Sequence, residues 1–228
     1  RFQDVVWIGT DGQGVYLYSN PLYSIKSMVL SNYTEKIERP VRAIYLDDER
    51  TFWVGTKGNG ILKIYDYEFD KNISDCRAEV LTTSNSALSS NAVYCFAKSH
   101  RNLLWIGDEE GLTYYSYREK RIKSIPIRIG NEDFKYIHDN YETADREGWL
   151  GGGGVGVVKA RIAGTPDNPV IVDAQRYIIN DGELGSNYFF TIYAENEANL
   201  LFGNKGYGVF RYNETTNGLE PVSTHKYE

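Results

Sequence analysis

The sequence predicts an all-β fold, a β-propeller of four-stranded antiparallel blades with about five repeats, and three observations carry that prediction. A bulky residue followed two positions later by glycine recurs five times, as Trp7-Ile8-Gly9, Trp53-Val54-Gly55, Trp105-Ile106-Gly107, Trp149-Leu150-Gly151 and a degenerate Leu201-Phe202-Gly203. These anchor glycines stand 46, 52, 44 and 52 residues apart, a period in the range of propeller blades. A second glycine follows each anchor by four or five residues, at Gly14, Gly60, Gly111, Gly156 and Gly208.

Each element follows from that frame. The residues between the two glycines, such as Asp11-Gly12-Gln13 and Lys57-Gly58-Asn59, supply the positive-φ conformations a tight hairpin reversal requires. After the second glycine come short runs rich in β-branched and aromatic residues, among them Val15-Tyr16-Leu17-Tyr18, Ile61-Leu62-Lys63-Ile64-Tyr65 and Val209-Phe210-Arg211-Tyr212, which read as strands. About ten residues before the later anchors lies a further apolar strand: Val41–Leu46, Ala92–Ala97 and Phe189–Ala194, with a more polar counterpart near Ile137 to Thr143. A more variable fourth strand closes each unit, as at Ala78 to Thr82 and Val170 to Tyr177. One such sheet cannot bury both apolar faces alone, so neighbouring sheets stack and the anchor tryptophans fill the space between blades. The expected blades of the single 1–228 unit run over about 1–30, 31–83, 84–127, 128–179 and 180–228.

Composition narrows the function. With 41% hydrophobic and 25% charged residues and a mean hydropathy of −0.47, no run approaches the eighteen or so apolar residues of a membrane helix. A net charge of −6 and no basic run argue against a nucleic-acid partner. Cys76 and Cys95 stand outside any CxxC or Cys/His spacing and read as two buried thiols; the three histidines, His100, His138 and His225, are too scattered for a zinc motif. No metal and no cofactor is therefore expected. The run Gly151-Gly152-Gly153-Gly154-Val155-Gly156 lacks the Gly-Lys-Ser/Thr ending of a phosphate loop and leads into a strand, so it reads as a turn. Acidic turns such as Asp47-Asp48-Glu49 recur in most repeats, whereas a catalytic carboxylate pair belongs to one or two, and no catalytic residue is nominated. Of the 19 tyrosines, those at repeat-equivalent strand positions, including Tyr16, Tyr18, Tyr65, Tyr114 and Tyr212, read as packing.

Leu88-Ser89-Ser90-Asn91 before an inner strand, an acidic turn, Trp-Ile-Gly-Thr-like anchors and a glycine leading into a Tyr-rich strand together resemble the two-component regulator propeller repeat. Leu184-Gly185-Ser186-Asn187 is a second copy of the loop motif. The resemblance implies a non-enzymatic, periplasmic sensor region of a Bacteroidetes hybrid two-component receptor. Such a region binds a glycan fragment or other small polar ligand, continues into the rest of the receptor chain, is membrane-associated only through it, and tends to act as a homodimer. Seven blades are usual in that family, so five anchors read as a segment of a larger propeller. Two other readings stay open, a protein-interaction propeller and a carbohydrate-active enzyme.

In a propeller the loops entering the inner strands and the hairpins between second and third strands share one face. That face is expected to carry Asn32 to Arg42, Ser89 to Tyr94, Asn131 to Asn140 and Gly185 to Tyr188, with Lys57, Asp108 and Lys205. Loops that differ while the frame repeats are where a scaffold carries function. The candidate ligand-binding residues are Arg39, Arg42, Asn91, Tyr94, Tyr136, His138, Asn140, Asn187 and Tyr188.

Overall fold

The structure, a computed structural model, describes residues 5–10, 14–19, 24–28, 30, 37–68, 75–179 and 187–222. The turn Asp11-Gly12-Gln13, the loop from 31 to 36, His225 and the Leu184-Gly185-Ser186 part of the second loop motif lie outside these residues.

Five successive antiparallel sheets form the blades. Blade one has three described strands, β1 (Val5–Thr10), β2 (Gly14–Ser19) and β3 (Ser24–Met28). Blade two is β4 (Val41–Leu46), β5 (Phe52–Thr56), β6 (Ile61–Ile64) and β7 (Ala78–Leu81). Blade three is β8 (Val93–Lys98), β9 (Leu103–Asp108), β10 (Leu112–Ser116) and β11 (Arg121–Ile125). A small hairpin, β12 (Arg128–Ile129) and β13 (Glu132–Asp133), precedes blade four, which is β14 (Ile137–Glu142), β15 (Glu147–Gly152), β16 (Gly156–Thr165) and β17 (Asn168–Tyr177). Blade five is β18 (Phe189–Asn196), β19 (Asn199–Asn204), β20 (Gly208–Asn213) and β21 (Gly218–Pro221). The inner strands β4, β8, β14 and β18 neighbour one another in turn. Among the described residues the fold is a partial propeller whose sheets do not close into a ring.

The alternation of side chains along each second strand explains the stacking. In β5, Phe52 and Val54 face blade one, joining Val15, Met28 and Trp7. Trp53 faces blade three, joining Leu104, Ile106 and Tyr115. Trp105 likewise meets Leu150 and Val158 of blade four, and Trp149 meets Phe202 and Phe210 of blade five. The anchor glycine shares the tryptophan's face for a steric reason. The first residue of the next inner strand plugs against it: a Cβ on Gly55 would lie 2.8 Å from Val93 Cγ1, and one on Gly107 would lie 2.7 Å from the Ile137 carbonyl. The second glycine answers a different need, since Gly60 has φ +77° and a Cβ there would stand 2.1 Å from the Leu81 carbonyl of the outer strand.

Two polar devices are buried between blades. Lys63, opposite Trp53 on the neighbouring strand, places Nζ 4.8, 4.4 and 4.3 Å from the ring centres of Trp53, Tyr65 and Tyr115, and donates to the Tyr115 hydroxyl at 2.9 Å. Burial pulls its pKa down. At the turn end of blades three and four, Arg101 Nε lies 3.1 Å from Glu142 Oε1, with both side chains almost fully buried. Arg101 also donates to the carbonyls of Ile162 (2.9 Å) and Ala163 (3.1 Å), while Glu142 Oε2 accepts from Trp105 Nε1 at 2.7 Å and from the Ser99 hydroxyl. Both cysteines are free thiols; Cys95 is buried, but Cys76, two residues before the outer strand of blade two, is only half-buried where it packs against the edge of the cluster shared by blades one and two.

Candidate functional site

Each of the four described inner strands carries a register shift one residue from its start, between Val41 and Ala43, Val93 and Cys95, Ile137 and Asp139, and Phe189 and Thr191. A bulge of this kind adds one unpaired residue and re-aims its side chain. The residues so displaced are Arg42, Tyr94, His138 and Phe190, one from each of blades two to five.

These four form a continuous row. The Arg42 guanidinium carbon lies 5.5 Å over the Tyr94 ring; Tyr94 stacks on His138 at 4.4 Å and 22°; the Phe190 ring meets His138 edge-on at 4.6 Å and 84°. Tyr188 extends the row, 6.3 Å from Phe190, and Lys205 Nζ lies 5.5 Å over the Tyr188 ring. The glycine-rich hairpin of blade four allows this approach: a Cβ on Gly153 would fall 2.7 Å from His138 Nε2, and one on Gly154 would fall 3.0 Å from the Tyr188 ring. Tyr94 and His138 spend their ring faces on each other, on Arg42 and on Phe190, so they act as supports. Phe190, Tyr188 and Tyr136 remain open, with 42, 43 and 42% of their surface exposed.

A second layer fixes the bulges from beneath. Asp139 accepts the Ile192 amide of blade five at 2.7 Å, and Asn140 Nδ2 donates to Cys95 Sγ of blade three at 3.2 Å. Burial raises the Asp139 carboxyl against the pull of its backbone donors, and burial drives the Cys95 thiol far up. Asn140 is thus buried under the row, away from its surface.

Asn91 and Asn187 serve the frame. The Asn91 carbonyl accepts from Gly58 and Gly60 of the preceding hairpin, both at 2.9 Å, and its side-chain oxygen accepts from the Thr83 amide at 2.9 Å. Asn187 repeats the pattern with Gly154 (3.1 Å), Gly156 (2.9 Å) and Ile179 (2.7 Å). The loop motif is therefore a latch between blades. Its serine also matters: Ser89 donates to Asp108, which is fully buried at the end of β9 and does not reach the face. Arg39 is exposed in the loop before β4, its amide held by Asn59 Oδ1 at 2.8 Å.

Of the nine nominated residues the structure brings Arg42, Tyr94, His138, Tyr136 and Tyr188 together. Phe190 was passed over as an ordinary apolar strand residue. Aligning the inner strands on Val41, Val93, Ile137 and Phe189 puts it in the column of the other three, and that alignment is the signal that finds it.

Burial, and secondarily the charge of Arg42, depress the His138 pKa from 6.5 to about 4. A depressed folded-state value means that neutral His138 contributes stability fully present above pH 6.5 and lost as pH falls through about 4. For a half-buried ring, about 1–2 kcal/mol is expected after allowance for solvent screening. Urea unfolding of the wild type and of His138→Gln at pH 7 and pH 4.5 checks this: the wild type loses more stability on acidification than the variant by that amount. Equal losses would place the imidazole in solvent.

No family model matches the chain. Among solved structures, it superposes on the extracellular domain of a hybrid two-component system of B. thetaiotaomicron with a TM-score of 0.69 at 13% identity, over 96% of this chain and 28% of that one. The extracellular domain of a one-component system of the same organism gives 0.66 at 15% identity, over 95% and 30%. The Cps50 β-propeller domain of Myceliophteria thermophila gives 0.62 at 10%, over 96% and 69%. The chain thus has a propeller fold and spans about three tenths of the length of those two bacterial domains. Translation initiation factor 6 of Saccharolobus solfataricus is 31% identical over 140 residues, 56% of this chain and 57% of that protein.

Proposed function

We propose that this chain is a non-enzymatic, ligand-binding segment of a sensor propeller of the two-component regulator type, placed in the periplasm and continuous with the rest of a receptor. The observation that carries the reading is the row of bulge side chains, one per blade, running across blades two to five and ending in open aromatic rings. Exposed aromatic faces stack on the apolar faces of sugars while tyrosine hydroxyls remain free for hydrogen bonds, and an oligosaccharide is the ligand class that such a row suits. The fold likeness to the extracellular domains of B. thetaiotaomicron signalling systems supports the same reading. The groups beneath the row are engaged in holding it: Asp139 and Asn140 bond to neighbouring blades, and His138 is kept neutral between two rings. Occupancy reaches a receptor only through differential affinity for its conformational states, and a rigid row spanning four blades is suited to sense their relative positions.

A thermal-shift and calorimetry panel of oligosaccharides tests this. A binding sugar raises the melting temperature, by the equivalent of about 2.7 kcal/mol at a hundred times its Kd. Phe190→Ala is expected to weaken it at least tenfold, at a site where aromatic contacts contribute about 0.5–1.5 kcal/mol beyond area burial. A panel in which no saccharide shifts the melting temperature would turn the assignment toward a protein-binding propeller.

A further inference from the structure

We infer that the row selects acidic saccharides, with a sugar carboxylate or sulfate held by Arg42 at one end and Lys205 available at the other. The inference rests on the sensor reading above and narrows its ligand.

The chain as a whole is acidic, with a net charge of −6, yet the row is bounded by cations. Elsewhere on the surface some cations are paired with carboxylates, among them Arg50 with Glu68, Lys98 with Asp48, Lys120 with Glu49, Arg118 with Asp167, and both Arg121 and Lys123 with Glu119. Arg39, Lys57, Arg77, Arg146, Arg161 and Arg211 form no such pair among the described residues; what sets Arg42 and Lys205 apart is their place at the two ends of the row. Arg42 and Lys205 have no ion-pair partner among the described residues, and each is instead held over a tyrosine ring. Contact through the π-face of Tyr94 fixes the guanidinium without using its N–H donors, which are the groups that grip a carboxylate or sulfate in a two-pronged fashion. The side chain is exposed, so those donors face solvent. The next group along the row is a neutral imidazole, and the buried carboxylates Asp108 and Asp139 are already bonded to Ser89 and to backbone amides. Burial and, after it, the nearby Glu109 raise the Tyr94 pKa, and Glu109 is a negative charge that an anion on Arg42 has to outweigh. Lys135, the other cation near Tyr136, is ion-paired to Glu110 and is excluded from the role.

An anion seated on Arg42 therefore gains a pre-positioned, unshared cation, while the further rings of the same oligomer extend along the row toward Phe190 and Tyr188. A neutral sugar gains only the ring contacts. Charge-assisted hydrogen bonds of this type are worth about a 10- to 100-fold difference in affinity.

Three probes are matched for shape: trigalacturonate, the same trimer with its carboxyls reduced to primary alcohols, and a sulfated form of that reduced trimer. Calorimetry with the whole chain is expected to show one or both acidic trimers binding at least tenfold tighter than the reduced one, and the stronger of the two identifies the anion. Arg42→Gln, at an exposed position and checked for an unchanged melting temperature, is expected to remove that preference, the readout being the ratio of acidic-trimer to reduced-trimer affinity in the variant against the same ratio in the wild type. A bound anion also offsets the charge of Arg42, so the His138 titration followed by NMR moves upward with the acidic trimers and stays put with the reduced one. Equal affinity for all three, or a preference that survives Arg42→Gln, overturns the inference and leaves the sensor reading standing. Absence of binding by any of the three, together with the failure of the wider oligosaccharide panel, removes both.

Discussion

Glu142→Ala is expected to lower the stability of the chain by about 3–5 kcal/mol, read as a fall in the urea midpoint at constant slope. The substitution strands Arg101, whose side chain is almost fully buried, against the Ile162 and Ala163 carbonyls with no negative charge nearby. It also removes the acceptor of Trp105 Nε1 at 2.7 Å and of the Ser99 hydroxyl, so three donors from blade three lose one partner together. A double variant, Arg101→Met with Glu142→Leu, removes both charges and is expected to recover much of the loss, since a buried ion pair is costly mainly when half of it is missing. A loss below about 1 kcal/mol for the single variant would show that water reaches Arg101, contrary to its burial.

The second large effect separates two positions that look identical in the repeat. Gly107→Val is expected to abolish cooperative unfolding or to cost more than about 4 kcal/mol, because the interface between blades three and four has no room for it. A Cβ at Gly107 would lie 2.5 Å from Cys95 Sγ, 2.7 Å from the Ile137 carbonyl and 2.8 Å from Ile137 Cγ2, two of these contacts being with side chains packed rigidly between sheets. At Gly9 the nearest atom to the same added Cβ is Val41 Cγ1 at 3.7 Å, an ordinary contact. Gly9→Ala is expected to cost under about 1 kcal/mol or to stabilise slightly, since glycine in a strand gives up more backbone freedom on folding. Thermal melts of the two variants side by side decide the matter; equal tolerance would mean the blades adjust freely.

The frame was legible because its causes repeat. Tryptophan and glycine two residues apart must share a strand face, and the steric demand of the next blade restores the same pair at each period. The second glycine was equally visible, since a positive φ tolerates few other residues. The row of displaced inner-strand side chains was legible only in part. Arg42, Tyr94 and His138 were recovered because polar or aromatic residues stood out at the start of inner strands, whereas Phe190 blended into Phe189-Phe190-Thr191-Ile192, where a strict alternation hides a one-residue shift. Asn91 and Asn187 attract a binding role because they recur in polar loops, but their backbone carbonyls accept from Gly58, Gly60, Gly154 and Gly156 and their side-chain oxygens from the Thr83 and Ile179 amides, and backbone partners leave no mark in a sequence. The pair Arg101 and Glu142 escaped notice for a related reason: each lies in a polar stretch that reads as solvated, and only the stacking of two blades buries them together.

The inner-strand bulge has a consequence for how such a surface changes over generations. Because each of blades two to five contributes one side chain displaced by its bulge, the proposed recognition surface can be altered blade by blade. Arg42 and Phe190, the exposed members of the row, stand apart from the buried tryptophans and the latch asparagines, so point substitutions there leave the contacts of the frame in place, whereas Tyr94 and His138 also support their neighbours. At the two exposed positions specificity is then inherited separately from foldability. On the sensor reading, a change of ligand then runs through substitutions at the bulge positions, and duplication of a blade adds a further such position together with the frame that displays it.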